Sequence, residues 1–596
     1  MAVTTITSAG NLLACRDHRK HGRTRLVIMM PPTNREKQMA LENHVTFGLD
    51  EIVDFVVIGS GSAGGIIAKE LATNGFSVIL LEQGALRTAE DFTHDKHDAL
   101  SVFLNEELNG GGNKYSQQTF RTDHTQTAKA PQMTPAFYSQ TVGGSSVHMT
   151  ANFWRFREID FKERSLLGPI SDTNFSDWPI SYEELEPYYS RVDWEIGVSG
   201  APGPDDSFRS RPFPMPPFPI KSSGVLMEKA AAQLGWSVQP EPHAVLTKPH
   251  NGRPPCINCG YCMWFGCETN AKSSTLAAMI PAAVQSENCE LRPECAVYKI
   301  GTNARGRVEE VAYIDSTGAE KAQKAKAVIV SANGAETPRL LLNSANSQFP
   351  DGLANSSGFV GRNLMFNSHS IVRTLFDRQL NDYKGVQVSR IIHQFYESDL
   401  KRGFYGGGGI DARPFMAAVP FLFAMAGARP NGPQWGTEFK ANLENDFTRS
   451  MFLFGSGTSL PQDRNNITID PTHKDQFGRP SLRITYRDHD DDIKLANFMQ
   501  DRTMEIAQAA GAQHAWREPI TYQTRGPHLL GTCRMGDNPA TSVIDKYHRA
   551  HDIPNLFLCD GSSLVTSGRG QPTMTIMALA FRAAEHIMTA AKNNNI

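Results

Sequence analysis

The chain has 596 residues, a formal net charge of −3, 40% hydrophobic residues and 20% charged residues. These values exclude a collagen, a coiled coil, a disordered chain and a nucleic-acid binder recognising phosphate through excess positive charge. At roughly 150 residues per domain the length allows about four domains, and four of the nine cysteines crowd into residues 256–267.

The first forty residues are basic and weakly apolar. Their longest apolar run, Leu26 to Met30, is shorter than the 7–15-residue core of a signal peptide. Residues 1–50 are therefore expected to be a disordered leader, with Met39 as an alternative start. The longest other apolar run, Phe415 to Gly427, is broken by Pro420 and falls short of the ~20 residues of a membrane-spanning helix. It reads as a buried segment, or as a docking patch for a partner or a membrane surface. No transmembrane helix is expected.

From Val53 the pattern changes. Phe55 to Ile58 form the continuous apolar run of a parallel strand covered on both faces. Gly59-Ser60-Gly61-Ser62-Ala63-Gly64 follows, then a helical stretch to Asn74 and a second strand, Ser77 to Leu81, ending in Glu82. Gly59 suits the tight turn, Gly61 lets backbone and Ser62 approach a pyrophosphate, and Gly64 lets helix pack close on strand. The helix amino terminus offers free N–H groups to the phosphates, and Glu82 can accept from ribose hydroxyls. Together these parts specify a dinucleotide site.

Cys256-x2-Cys259-x2-Cys262-x4-Cys267 places four thiols on one short loop. Structural zinc usually takes two pairs separated by a longer loop. Disulfides here would close two small strained loops. An iron–sulfur cluster, [3Fe-4S] or [4Fe-4S], favours a run of short Cys-x2-Cys intervals. Cys289, Cys295, Cys533 and Cys559 read as ordinary buried thiols, and Cys15 belongs to the leader.

Arg292 to Ser331 reads as a three-stranded meander, beginning with Ala296 to Ile300, which carries Val297. Residues 370–520 should carry the substrate-facing sheet, including the Gly406–Gly409 run and the strands Asn466–Asp470 and Leu482–Tyr486, plus a helix from Asp490 to Ala510. Tyr405, Trp435 and His369 are polar or aromatic candidates there. At the carboxyl end, strand Asn555–Leu558, Asp560-Gly561 and a long helix from Pro572 to Ala590 return to the first domain. A return of this kind cradles the flavin half of FAD.

The sequence resembles the glucose-methanol-choline family of FAD-dependent oxidoreductases. The resemblance is carried by VVIGSGSAGG near residue 60, TVGGSSVHMTANFWRF from Thr141 and SANGAETPRLLLNSA from Ser331. It continues in SGFVGRNLMFNSH from Ser357, GPHLLGTCRMG from Gly526 and CDGSSLVTSGRGQPTMTIMALAFRAAEHI from Cys559. These motifs run in family order over some nine-tenths of the chain. Within the family they are most similar to sugar dehydrogenases, in particular the catalytic subunits of bacterial glucoside 3-dehydrogenases.

The resemblance implies an α/β fold, a Rossmann-type FAD-binding domain interleaved with a substrate domain built on a large mostly antiparallel sheet. The expected segments are 51–165, 226–365 (with the iron–sulfur loop at 250–272) and 525–596 for FAD, and 166–225 and 366–524 for substrate. It implies His528 as catalytic base, a task suited to a neutral imidazole. Gln571 stands where relatives have His or Asn, and it can hydrogen-bond but not accept a proton near neutrality. Gly143, Gly144, Ser145 and His148 are expected at the flavin, with covalent attachment through His148 one option. Val297 and Gly334 are expected near the adenosine half, and Asp560 and Gly561 near the flavin half.

The implied activity is oxidation of a secondary hydroxyl of a sugar or glycoside, at C3 to a 3-keto product. Electrons would leave through the cluster to a cytochrome or quinone. An oxygen-using sugar oxidase, a gluconate- or glucose-dehydrogenase-type subunit acting at another carbon, and a non-enzymatic electron-transfer subunit are the alternatives. A small companion subunit bearing an export signal, and a periplasmic, partner-anchored location, complete the expectation, with a cytoplasmic location as the alternative.

Overall fold

The computed structural model describes residues 41–92, 94, 118–130, 135–204, 206–414, 423–424, 429–430, 432–475 and 477–596. The leader through residue 40, with Met39 and Cys15, and most of the Phe415–Gly427 run lie outside the described residues.

In chain order the strands are β1 (Val53–Ile58), β2 (Val78–Leu81), β3 (Gln118–Arg121), β4 (Gln239–Pro240), β5 (Cys289–Arg292), β6 (Ala296–Thr302), β7 (Val308–Ile314) and β8 (Glu320–Val330). They continue with β9 (His369–Leu375), β10 (Arg390–Ile392), β11 (Gly408–Arg413), β12 (Ser450–Gly457), β13 (Asn466–Lys474), β14 (Pro480–Thr485), β15 (His514–Arg517) and β16 (Leu556–Leu558). The helices that position the site are α1 (Gly64–Thr73), α2 (Tyr182–Val192), α3 (Ser222–Leu234), α4 (Asn333–Asn343), α5 (Asp490–Ala509) and α6 (Thr573–Lys592).

The first sheet runs β5-β2-β1-β8-β7-β6, with β16 paired to β8. β5, β2, β1, β8 and β16 are parallel, and β6, β7 and β8 form the antiparallel meander. Val57 lies opposite Leu80 on one side and Ile329 on the other. All three are fully buried, which is why the sequence shows an unbroken apolar run there rather than alternation. Helix α6 packs on α1 and α2, and the Tyr189 hydroxyl bonds Thr575 at 2.7 Å. Helix α2, in the segment expected to serve the substrate domain, thus packs on the cofactor domain.

Residues 41–50 are not a free leader. Asn43 bonds both the N–H and the C=O of Leu291 at 2.8 Å, and the Phe47 N–H donates to Glu290 at 2.8 Å. β5 is an edge strand whose unpaired backbone groups need partners, and this segment supplies them.

The second sheet runs β15-β9-β12-β11-β10-β4 and is antiparallel throughout. One face is apolar: Val372, Ile410, Ala412, Met451 and Leu453 pack with residues of α3 and α5. Both α3 and β4 therefore serve this sheet, although residues 226–240 were expected in the cofactor domain.

The Asn466–Asp470 and Leu482–Tyr486 strands were expected in that sheet. Instead β13 and β14 form a hairpin in a separate sheet with β3. Their inward residues Ile467, Leu482 and Ile484 cluster with Ala136, Ala335, Leu364 and Leu529, which draws the hairpin toward the cofactor cleft. No helix among the described residues is long and apolar enough to cross a membrane.

Candidate active site

A cleft opens along the carboxyl ends of the parallel strands, the usual ligand position in such sheets. Of the expected cofactor residues, Gly59, Gly61, Ser62, Glu82, Gly144, Ser145, Val297, Asp560 and Gly561 line it, as does His528. Gly64, Gly143, Gly334, His148 and Gln571 do not form its wall.

Three of those five glycines and neighbours act from behind the wall. A Cβ on Gly64 would lie 1.8 Å from the Gly59 carbonyl oxygen, and one on Gly334 would lie 2.1 Å from that of Leu529. Gly143, at φ 91°, donates its N–H to Ser60 Oγ at 2.8 Å, and Ser60 Oγ donates to Glu82 at 2.6 Å. Gly59 has φ 91°, and its Cβ position is 2.5 Å from the Ser331 carbonyl oxygen. The turn therefore tolerates no side chain.

Both Glu82 oxygens accept from the chain itself, one from Ser60 and the other from the Gly84 N–H at 3.0 Å. Burial raises its pKa. Oε2 accepts from both the Ser60 N–H and the Ser60 hydroxyl, while Oε1 accepts from Gly84 and keeps a lone pair with which it can accept from a hydroxyl in the cleft. Helix α1 carries no acidic residue in its first turn, leaving its partial positive charge to the cleft.

The far end of the cleft is built by residues not singled out from the sequence: Tyr138, Asn333, Glu336, Arg339, Asp475 and Arg479. Tyr138 donates to Glu336 at 2.5 Å and Arg339 to Asp475 at 3.0 Å. Glu336 and Arg339 sit inside the SANGAETPRLLLNSA motif, so a signal was present. The β13–β14 turn carried none. Asp560 accepts from the Asn333 N–H at 3.0 Å, Thr337 at 2.6 Å and the Ser562 N–H at 2.7 Å, fixing the last segment against α4. The turn glycines, the unneutralised α1 terminus and the free lone pair on Glu82 Oε1 fit a bound dinucleotide.

His528 is partly exposed to the cleft. Its Nδ1 lies 3.1 Å from Asn367 Oδ1. Asn367 Nδ2 is occupied by the carbonyls of Gly457, Ser567 and Gly568 at 3.1, 3.3 and 3.1 Å. Asn367 Oδ1 is thus the acceptor and His528 Nδ1 carries the proton, which leaves the Nε2 lone pair free. Burial, with His369 and Arg413 nearby, lowers the His528 pKa to about 3, so the ring is neutral at ordinary pH. Asn367 lies near the end of the SGFVGRNLMFNSH motif, and sequence reasoning passed over it. Gln571 stands half-buried just before α6, beside the wall.

Of the aromatic candidates, His369 lies within electrostatic reach of His528. Tyr405 is bound to Glu163, and Trp435 is 85% exposed.

His148 lies behind the wall, toward the cysteine loop. Its Nδ1 is 3.1 Å from the Trp264 carbonyl oxygen, and the Trp264 N–H donates to its carbonyl at 3.1 Å. The carbonyl can only accept, so Nδ1 is protonated and the buried Nε2 is unpartnered. Burial and Lys272 lower its pKa to about 3.

The four clustered cysteines are free thiols. Burial pushes the Cys256 thiol up to about 11 and raises Cys262 further. The Asn258 N–H points at Cys256 Sγ at 3.3 Å, the Lys272 N–H at Cys267 Sγ at 3.4 Å, and the Tyr261 N–H bonds Cys259. The Lys272 ammonium lies between the carbonyls of Met149, Cys262 and Phe265 at 2.9, 2.9 and 2.6 Å. N–H groups on the sulfurs and a buried cation fit a thiolate-held cluster. Among the described residues no three of these sulfurs lie within 4.8 Å of one another, a wider spacing than one zinc ion with bonds of ~2.3 Å would demand.

Models of the GMC oxidoreductase family match residues 53–369 and 461–580. The chain is 37% identical to a 2-methyl-1,2-propanediol dehydrogenase of Mycolicibacterium austroafricanum, over 90% of this chain and 95% of that protein. It is 30% identical to the fructose dehydrogenase large subunit of Gluconobacter japonicus, over 90% and 98%. Among solved structures, formate oxidase of Aspergillus oryzae superposes with a TM-score of 0.63 at 14% identity, covering 92% of this chain and all of that one. With a cleft lined by the dinucleotide turn, a neutral histidine in its wall and both family models matched, the chain belongs to the GMC oxidoreductase family, FAD-dependent enzymes that act on CH–OH groups.

Proposed function

We infer that this protein is a dehydrogenase that oxidises a secondary hydroxyl of a sugar or glycoside, at C3 to a 3-keto product. Its electrons leave through an iron–sulfur cluster on the cysteine loop to a cytochrome or quinone. The observation that carries this reading is the free Nε2 lone pair of His528, fixed by the Nδ1 contact with Asn367 at 3.1 Å. FAD supplies the hydride acceptor when bound, and the cluster carries electrons singly.

The chain's own residues hold, orient and deprotonate. Gly61, Ser62 and the α1 terminus bind the diphosphate, and Glu82 the ribose. His528 takes the hydroxyl proton on Nε2, Asn367 keeps the ring in that tautomer, and Gln571 hydrogen-bonds the substrate. Cys256, Cys259, Cys262 and Cys267 hold the cluster, which the reciprocal His148–Trp264 contacts tie to the flavin side.

The name of the fructose dehydrogenase large subunit supports a companion subunit for this chain as well. An export signal on that companion and a periplasmic, membrane-associated position belong to the same reading, with a cytoplasmic location as the alternative. A second reading, a small vicinal diol as substrate, is favoured by the 37% identity to a diol dehydrogenase.

Anaerobic mixing with methyl glucoside and with 2-methyl-1,2-propanediol, followed by flavin bleaching and identification of the product, tests both. Bleaching by the glycoside with a 3-keto product supports the first reading. Bleaching by the diol alone replaces it with the second. Iron and acid-labile sulfide that disappear in Cys262→Ala, with an electron-resonance signal on reduction, support the cluster; iron-free active protein refutes it. Peroxide formed in step with substrate would refute the external acceptor.

A further inference from the structure

The second sheet keeps its buried charges on one face. Against the apolar face on α3 and α5 stands a front face carrying His369, Gly409, Asp411, Arg413, Phe454 and Ser456, alternating residues of β9, β11 and β12. Arg413 grips Asp411 through two bonds of 2.5 and 2.6 Å and lies 4.2 Å over the Phe454 ring. Ser456 Oγ donates to the Arg569 carbonyl at 3.2 Å, so this face looks at the loop leading to Gln571.

Around that pair is a group of buried polar atoms without partners. Glu241, just after β4, is 1% exposed, and neither carboxylate oxygen accepts a hydrogen bond. It lies within electrostatic reach of Asp411 and Arg413. His393 is buried with neither ring nitrogen bonded. Its ring meets Trp154 edge-on at 4.9 Å, and it borders Gly409, whose Cβ position is 2.9 Å from it. Trp154 Nε1 and both amide atoms of Asn152 are likewise buried and unpartnered. Trp154 in turn borders Gly570, 3.1 Å from its Cβ position. The backbone links these residues too, since Asn152 bridges to His243 and His243 Nδ1 contacts the Glu241 carbonyl at 2.9 Å.

Native interiors rarely leave polar atoms unbonded, and each exception calls for a missing partner. Here the set is concentrated around the Asp411–Arg413 pair, whose arginine is also within electrostatic reach of His528, and is mixed in character. Burial, with Asp411 nearby, raises the Glu241 pKa, so its carboxyl can donate as well as accept; an amide does both, an indole N–H donates, and the Trp ring offers an apolar face. A small alkane bearing two hydroxyls cannot satisfy such a set while one hydroxyl reacts at His528.

We propose that Glu241, His393, Trp154 and Asn152 form a subsite for the non-reacting hydroxyls of a polyhydroxylated ring, a pyranoside being the fitting class. This assignment rests on the carbohydrate reading of the active site. The subsite positions the ring so that one secondary hydroxyl meets His528, and its loss acts on discrimination between substrates.

The test compares kcat/KM for methyl glucoside and for 2-methyl-1,2-propanediol, read as flavin reduction, in wild type, E241L and W154F. Flavin content and Tm establish that each variant is folded. A site built to bond hydroxyls loses discrimination steeply when its partner is removed. The glycoside-to-diol ratio is expected to fall at least tenfold in E241L, mainly through the glycoside KM. A smaller fall overturns the subsite. Should E241L not fold, W154F removes one donor and keeps the ring, and a fall of at least threefold in the ratio is expected; a smaller one overturns the proposal. Wild-type protein bleached by the diol and not by the glycoside fails the carbohydrate reading itself. A wild-type glycoside preference that E241L leaves intact fails the subsite alone.

Discussion

Backbone does most of the work in the cofactor cleft. Gly59, Gly64 and Gly334 bring main chain against main chain at separations that exclude a Cβ, and the phosphate end is a helix terminus rather than a side-chain clamp. Across from it, the front face of the second sheet works through side chains contributed by separate segments: Asn152 and Trp154, Glu241, His393, and Asp411 with Arg413. A backbone site constrains residue type at adjacent positions. A side-chain site spread over four segments constrains geometry and leaves each position free.

The largest effect is expected where the backbone is tightest. Gly64→Ala places a methyl group 1.8 Å from the Gly59 oxygen, and should cost on the order of 3 kcal/mol together with the flavin. Yellow protein with an unchanged Tm would show that main-chain contact does not constrain this turn.

His528→Ala lies between the two regions. Removing the proton acceptor should slow flavin reduction by about 10²- to 10⁴-fold, measured anaerobically, with flavin content and Tm near wild type. Loss of flavin in that variant would move His528 from chemistry to scaffold.

The smallest effect concerns pH. The lowered pKa of His528 means that the neutral, proton-accepting ring persists as pH falls through 6.5, the ordinary imidazole value. The acid limb of kcat/KM should therefore lie below pH 6.5. A limb at or above 6.5 would show that substrate-side groups raise the ring's basicity instead.

The same contrast accounts for what the sequence revealed. The strand, glycine turn, helix and Glu82 were readable because contiguous residues must cooperate within one turn, and the same holds for Asp560-Gly561 before α6. The cysteine spacing was readable for that reason too. Asn367 was not: its Oδ1 orients His528 from 161 residues away, and nothing local distinguishes it from a turn asparagine. The β13–β14 hairpin was recognised as two strands but given to the wrong sheet, because alternation reports that one face is buried and not what buries it. Glu241 and His393 look in sequence like ordinary polar residues flanking short strands.

The pairing of β8 has a consequence for how the protein is made. Its last residues are held between β1 on one side and β16 on the other, and the cleft takes Asp560, Gly561 and Pro572 from the stretch that follows β16. A ribosome translating this chain therefore exposes the dinucleotide turn some five hundred residues before the opposite wall exists. Cofactor capture is a late, post-translational event, and chains stopped before residue 556 should emerge colourless however long they are given to bind flavin.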